Sequence, residues 1–198
     1  MARRIFIWVA HPKPGSLNAA LAARYADGAR ARGAEVRIME LSDMQFAADF
    51  DGYGADHDAT PLAPDLQRWQ DNVTWADHVL IVHPYWWGAM PARAKAVLDT
   101  ALLPGFGFKY HKRGMGWDKL LAGRTGDAII TSDTPPWLDT LVYHRPARRV
   151  MRNQVLKFCG IQPRAVVQFG SVKLAKDGQV DKWLARAKNM GAAAALAG

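Results

Sequence analysis

Residues 78–91 read His78-Val79-Leu80-Ile81-Val82-His83-Pro84-Tyr85-Trp86-Trp87-Gly88-Ala89-Met90-Pro91. The first seven form a short continuous apolar run bounded by histidines and closed by a proline. A strand wetted on one face would alternate polar and apolar residues; an unbroken run predicts a strand buried on both faces, as in a parallel sheet covered by helices. Three aromatics then mark where the chain leaves the sheet. Pro91 suits the first turn of a helix carrying Ala94, Val97, Leu98, Ala101 and Leu102.

The same grammar repeats outward. Ile5 to Ala10 is a second buried run, also closed by His-Pro. Ser16 caps a helix over 17–32 that Gly33 ends. Residues 35–41 alternate and read as an outer strand. Residues 42–63 read as a long polar loop, and Asp65 caps a helix reaching Trp75. A Gly- and aromatic-rich loop over 104–117 precedes a strand at 125–132. A helix over 145–158, a strand over 164–169 and a helix from Asp181 complete the chain. Alternating strand and helix predicts an α/β fold with a parallel sheet, and right-handed crossovers put helices on both faces, giving three layers. Five such units fit the flavodoxin-like strand order 2-1-3-4-5. Neither a repeat nor a low-complexity linker divides the chain, so residues 1–198 are expected to form a single domain.

Composition bounds the setting. The 198 residues are 49% apolar and 22% charged, the balance of a folded globular protein rather than a disordered one. The lone Cys159 permits no intrachain disulfide, which fits a reducing, cytoplasmic compartment. The apolar stretch at the start is shorter than a secretory h-region, and no run approaches the roughly 20 residues of a spanning helix, so no transmembrane segment is expected. The net charge of +8 admits nucleic acid, an anionic membrane or a small phosphorylated ligand. Most of the excess lies after residue 120, where Arg145, Arg148, Arg149 and Arg152 fall on one face of the expected helix, opposite Ala147, Val150, Met151, Val155 and Phe158. That stripe reads either as a solvated face or as an attractor for a phosphorylated nicotinamide or an acidic partner surface. Charge alone motivates a nucleic-acid reading, and none is assigned.

In a sheet of this order, ligands bind outside the carboxyl ends of the strands, where the chain reverses between strands one and three. Those ends here read His11-Pro12-Lys13-Pro14-Gly15-Ser16-Leu17-Asn18, then Pro84-Tyr85-Trp86-Trp87, then Thr131-Ser132-Asp133-Thr134-Pro135-Pro136. The first offers a helix N-terminus for phosphate, or simply an ordinary N-cap. The second offers a flat aromatic wall for a planar ligand, or a cover for the core edge. The third offers hydroxyls and an acid for polar ring edges, or a common turn. Gly-x-Gly-x-x-Gly after the first strand, a Walker loop and a Gly-x-Ser-x-Gly elbow are all missing from the sequence. No Cys cluster or His-x-x-x-His supports a metal site.

Four segments together resemble the NAD(P)H:quinone oxidoreductase family of flavoproteins, the flavodoxin-like group that includes modulator of drug activity B and the ancillary reductases of potassium-efflux systems. They are Ala10-His11-Pro12-x-x-x-Ser16-x-Asn18; Ala76-Asp77-His78-Val79 running to His83–Ala92; Leu98-Asp99 with Pro104–Tyr110; and Phe158-Cys159-Gly160. The resemblance implies a non-covalent flavin, FMN or FAD, with NAD(P)H as co-substrate and a quinone or similar small acceptor. By position, Ser16, Leu17 and Asn18 would cradle phosphate beside His11. Pro84, Tyr85, Trp86 and Trp87 would line the ribityl chain and ring, and Thr131, Ser132 and Asp133 would reach the ring edge. Where many relatives have Thr-Thr-Gly-Gly, this chain has Thr131-Ser132-Asp133-Thr134 followed by two prolines. Tyr143 and His144 are the candidate proton donors. Ping-pong turnover through one shared site is expected, with a flavodoxin-like electron carrier of little turnover as the alternative. The resemblance also implies a homodimer, with Trp117 and Trp137 as candidate boundary residues.

Overall fold

A computed structural model describes residues 2–49 and 61–196. Strand β1 (Arg4–Val9) leads into helix α1 (Leu17–Arg30), strand β2 (Glu35–Glu40), helix α2 (Pro64–Trp75), strand β3 (His78–Pro84) and helix α3 (Ala92–Ala101). Two short strands, β4 (Phe108–Tyr110) and β5 (Trp117–Lys119), form an antiparallel hairpin. Strand β6 (Thr125–Thr131) follows, then helices α4 (Pro136–Leu141) and α5 (Pro146–Val150), a π-helical segment (Met151–Leu156) and helix α6 (Lys157–Cys159). Strand β7 (Gln162–Phe169) and helix α7 (Gln179–Leu196) close the described chain.

The main sheet runs β2-β1-β3-β6-β7 with every neighbour parallel. Setting the hairpin aside, its strands in chain order lie 2-1-3-4-5, the flavodoxin-like arrangement expected from the alternating pattern. Each central strand feeds two cores. Phe6, Trp8 and Ala10 point into one, with Val79, Ile81 and residues of α2 and α3. Ile5, Ile7 and Val9 point into the other, with Leu80, Val82 and residues of α1 and α7. The unbroken apolar runs exist because both strand faces are covered.

Helices α1 and α7 cross closely. A Cβ on Gly28 would lie 1.9 Å from the Lys188 carbonyl oxygen, and one on Gly191 1.9 Å from that of Tyr25. Each glycine is the recess that admits the other helix's backbone.

Local readings differ at four places. Residues 104–117 are not wholly loop, because the β4–β5 hairpin begins inside them. Helix α2 starts at Pro64 and lacks a side-chain cap; Asp65 instead accepts from the Gln45 amide and pairs with Arg68 at 2.7 Å. Of the loop over 42–63, residues 50–60 lie outside the described residues. The run over 145–158 is not one α-helix, since its middle widens into the π segment. The arginine stripe does not form. Arg145 precedes α5 in a left-handed conformation (φ 59°), Arg148 turns inward to Asp139, and Val150, expected inside, is half exposed.

A buried polar chain lies near the amino ends of the strands. Arg3 donates to Thr125 Oγ1 (2.7 Å), and Thr125 Oγ1 lies 2.7 Å from His78 Nδ1. His78 Nε2 lies 2.9 Å from the Tyr25 hydroxyl, which donates to Asp127 Oδ2 (2.8 Å). The Ala165 amide donates to Asp127 Oδ1 (2.8 Å) at the irregularity between Gly126 and Ala128. With the His78 proton on Nε2, His78, Tyr25 and Thr125 each donate to an acceptor in this chain. Burial pushes the Asp127 carboxyl up, but His78, Tyr25 and the Ala165 amide outweigh it and hold it below its ordinary value. Burial also pushes the Tyr25 hydroxyl well up.

Candidate functional site

The carboxyl ends of β1, β3, β6 and β7 share one edge of the sheet, and their loops enclose a cleft of about 600 Å³. His11, Leu17 and Asn18 form one side; Pro84, Tyr85, Trp86 and Trp87 form a second; Thr131, Ser132, Asp133 and Thr134 form a third. Val172 and Lys173 complete it. The cleft thus gathers every cofactor-site candidate except Ser16. That size is typical of a site for a drug-sized or cofactor-sized molecule.

Ser16 has another task. Its side chain accepts from the Ala19 amide (3.2 Å) and caps α1. The first turn of a helix has no intrahelical acceptors for its amides. With Ala19 served by Ser16, the Leu17 and Asn18 amides remain for a ligand, at the positive end of the helix dipole and with no acid in that turn.

The aromatic wall is built by a tight turn. Trp86 and Ala89 exchange backbone hydrogen bonds (2.8 and 3.0 Å), and the two residues between them are left-handed: Trp87 at φ 50° and Gly88 at φ 81°. Positive φ at both central positions is the type I′ signature, which favours Asn and Gly and disfavours a bulky side chain. Trp87 is nonetheless fully exposed on the cleft rim. The His11 ring meets Trp86 edge-to-face, with centroids 5.3 Å apart.

The third side is fixed from behind. Thr131 donates to Asn18 Oδ1 (3.1 Å), joining β6 to α1, and Gln168 donates to Ser132 Oγ (3.0 Å). Asp133 accepts from the Lys173 amide (3.0 Å) and pairs with its ammonium (3.3 Å). The Ser171 amide reaches the Thr134 carbonyl (3.3 Å), so close that a Cβ on Gly170 would lie 2.5 Å from that oxygen. The loop after β7 therefore braces the proline-stiffened loop after β6. Thr134, Val172 and Lys173 were not read from the sequence as site residues. The signal for the last two was the strand order itself, which puts the end of the fifth strand on the same edge.

Two cleft groups have displaced proton affinities. Burial lowers His11 below its ordinary value. Burial, helped by the nearby Asp139 charge, raises Tyr85. At neutral pH His11 is therefore unprotonated and Tyr85 keeps its proton. The Lys13 backbone engages His11 Nδ1 from both sides, its amide at 3.0 Å and its carbonyl oxygen at 3.1 Å. Behind the wall, His83 is wholly buried and donates from Nδ1 to the Pro84 carbonyl (2.8 Å); burial lowers it to about 4.

Tyr143 and His144 are not in the cleft. They lie past the end of α4, both exposed, with His144 left-handed at φ 56°. Trp117 turns inward, stacking on Phe158 (4.8 Å between centroids) and donating to its carbonyl (2.9 Å), whereas Trp137 is exposed on α4. Among the described residues no three His, Cys, Asp or Glu side chains are placed to hold a metal ion, and no helix is long and apolar enough to cross a membrane.

Residues 3–190 match the family described as flavodoxin-like fold. The chain belongs to that family. It is 28% identical over 155 residues to a ribosyldihydronicotinamide dehydrogenase-like protein, traD, of Penicillium crustosum, covering 70% of this chain and 57% of that protein. The chain therefore spans little more than half of that relative's length. It is 27% identical over 173 residues to an uncharacterized NAD(P)H oxidoreductase of Haemophilus influenzae, covering 85% and 84%. The NAD(P)H:quinone oxidoreductase of Methanothermobacter marburgensis superposes with a TM-score of 0.79 at 19% identity, over 97% of this chain and 98% of that one, a likeness of fold.

Proposed function

We propose that the chain is a flavin-dependent NAD(P)H oxidoreductase that reduces quinones or similar small acceptors at the cleft. One observation carries this reading: free amides at the start of α1, an aromatic wall and a hydroxyl-lined edge converge on a single space of cofactor size. These are the three chemistries that a phosphorylated, planar, polar-edged flavin asks for. The names of the Penicillium and Haemophilus relatives support a nicotinamide as electron donor.

In this reading Leu17 and Asn18 hold the phosphate of FMN, or of FAD, from their amides, with the His11 ring beside it. Pro84, Tyr85, Trp86 and Trp87 hold the ring plane. Thr131, Ser132 and Asp133 face its polar edge, and their bonds to Asn18, Gln168 and Lys173 keep them from relaxing away. Bound flavin supplies the two-electron exchange between nicotinamide and acceptor; the protein supplies orientation and polarity. Tyr85 carries the aromatic hydroxyl of the cleft and keeps its proton at neutral pH, so we assign it the hydrogen bond to the acceptor oxygen in place of Tyr143 and His144.

A single cleft must admit donor and acceptor in turn. Initial rates with NADPH or NADH against a quinone should therefore give parallel double-reciprocal lines. Intersecting lines would contradict the shared site, and a flavin-loaded protein with no turnover would favour the electron carrier instead. Trp137 is exposed on α4, and we assign it to the contact with a second copy. The single buried Cys159, its thiol pushed up to about 11, suits a reducing cytoplasm.

A further inference from the structure

The cleft does not account for the basic excess of the chain. Among the described residues, part of that excess gathers at the other end of the sheet. A second cavity, of about 990 Å³, opens at the amino ends of the strands and is lined by Arg3, Arg4, Arg32 and Arg164, together with Glu35 and Asp77. The four guanidiniums come from the start of β1, the turn after α1 and the start of β7.

Among the described residues only Arg4 of the four pairs with a carboxylate. Arg4 grips Asp77 with two side-chain hydrogen bonds (2.7 and 3.2 Å) and its own amide (3.0 Å). Arg3 reaches across the end of β3 to the Thr125 hydroxyl, and its Nε is buried without a partner among the described residues. Arg32 and Arg164 pair with no carboxylate among the described residues. Nor are they there to cap helix ends. The last carbonyls of α1 are served by backbone amides: Ala31 to Asp27, Arg32 to Ala29, Gly33 to Arg30 and Ala34 to Ala29. Arg124 shows what a capping arginine does in this protein, donating to the Val73 and Thr74 carbonyls at the end of α2. Arg32 and Arg164 make no such bonds. Three cations facing one cavity repel each other unless an anion joins them, and the planar guanidinium fork matches a phosphate group.

We propose that this cavity is a second ligand site, separate from the cleft, for a small soluble compound carrying at least two phosphate charges. Arg3, Arg32 and Arg164 hold its oxygens. Glu35 on the rim sets the charge requirement, because a monoanion gains little against it and a polyanion outweighs it. The site stands independently of the flavin reading, since none of its residues lines the cleft.

Inorganic pyrophosphate is the probe, titrated calorimetrically into the full chain at constant ionic strength so that general screening is held fixed. Saturable 1:1 binding is expected. Arg32→Ala with Arg164→Ala, two exposed side chains without partners, should weaken it by at least about tenfold, and Glu35→Gln should tighten it. Binding that the double variant leaves unchanged would place the anion elsewhere and overturn the proposal. So would an absence of saturation up to roughly 10 mM, the weak end of specific affinity. In a parallel arm with phosphatidylglycerol vesicles, no sedimentation of the protein is expected. Arginine-dependent sedimentation without pyrophosphate binding would assign the cluster to a lipid surface and also overturn it.

Discussion

Replacing Trp87 separates binding from folding. Its side chain is fully exposed, so deleting the indole removes no buried contact within the chain. Its backbone is left-handed at φ 50°, a conformation that costs a residue bearing Cβ about 1–2 kcal/mol. Trp87→Gly relieves that cost but adds about 0.5–1 kcal/mol of chain entropy in the unfolded state. The net is a fold that is unchanged or stabilised by up to ~1.5 kcal/mol. Trp87→Ala keeps Cβ and should show no gain. Stacking of an aromatic on a planar ligand is worth about 0.5–1.5 kcal/mol, so both variants should bind flavin roughly 2- to 10-fold more weakly. Urea unfolding at fixed protein concentration reads the first quantity, and flavin fluorescence titration reads the second. A loss of more than ~1 kcal/mol in the glycine variant would show that the indole packs on something, and the strain reasoning would fail. Unchanged flavin affinity would remove Trp87 from the wall.

Three other outcomes follow from packing and buried charge. Gly28→Ala gains helix propensity of about 1 kcal/mol, but its methyl lands on the Lys188 carbonyl, so a net loss of roughly 1–3 kcal/mol is expected by denaturation; a stabilised variant would mean the helices part freely. Tyr25→Phe removes the hydroxyl that bridges His78 Nε2 and Asp127 Oδ2, 3.6 Å apart, and should cost about 1–3 kcal/mol, and a neutral result would deny the buried chain its role. His83 is depressed to about 4, so the unfolded chain binds its proton first as pH falls. Stability should fall as pH drops below the ordinary histidine value near 6.5 and keep falling towards 4, by about 3 kcal/mol in all; His83→Gln should flatten that part of the profile, and an equally steep variant would refute the assignment.

How much of this was legible differs by element. The runs Ile5–Ala10 and His78–Pro84 declared buried parallel strands because covering both faces forbids alternation, and the strand order and the cleft edge followed from the five-fold alternation of strand and helix. The aromatics after Pro84 were legible as a wall because nothing in strand packing requires three of them. Other features had no local signal. Tyr25, His78 and Asp127 are brought together from three separate elements, and each alone reads as an ordinary helix or strand residue. The left-handed Arg145 before α5, the turn of Arg148 towards Asp139 and the π segment that follows break the 3.6-residue period that aligns the arginines. The hairpin strands β4 and β5 are three residues each, too short for a period to register. Ser16 reads both as phosphate ligand and as N-cap; its oxygen accepts from the Ala19 amide as a cap, which leaves its O–H able to donate.

The central claim is that the cleft holds a flavin, and equilibrium titration of the flavin-free protein with FMN and with FAD tests it most directly. Saturable 1:1 uptake of at least one of them is expected, weakened several-fold (about 1 kcal/mol) by Trp86→Ala, which removes the ring that faces His11. A protein that takes up neither flavin, or that binds one equally well without Trp86, would contradict the account.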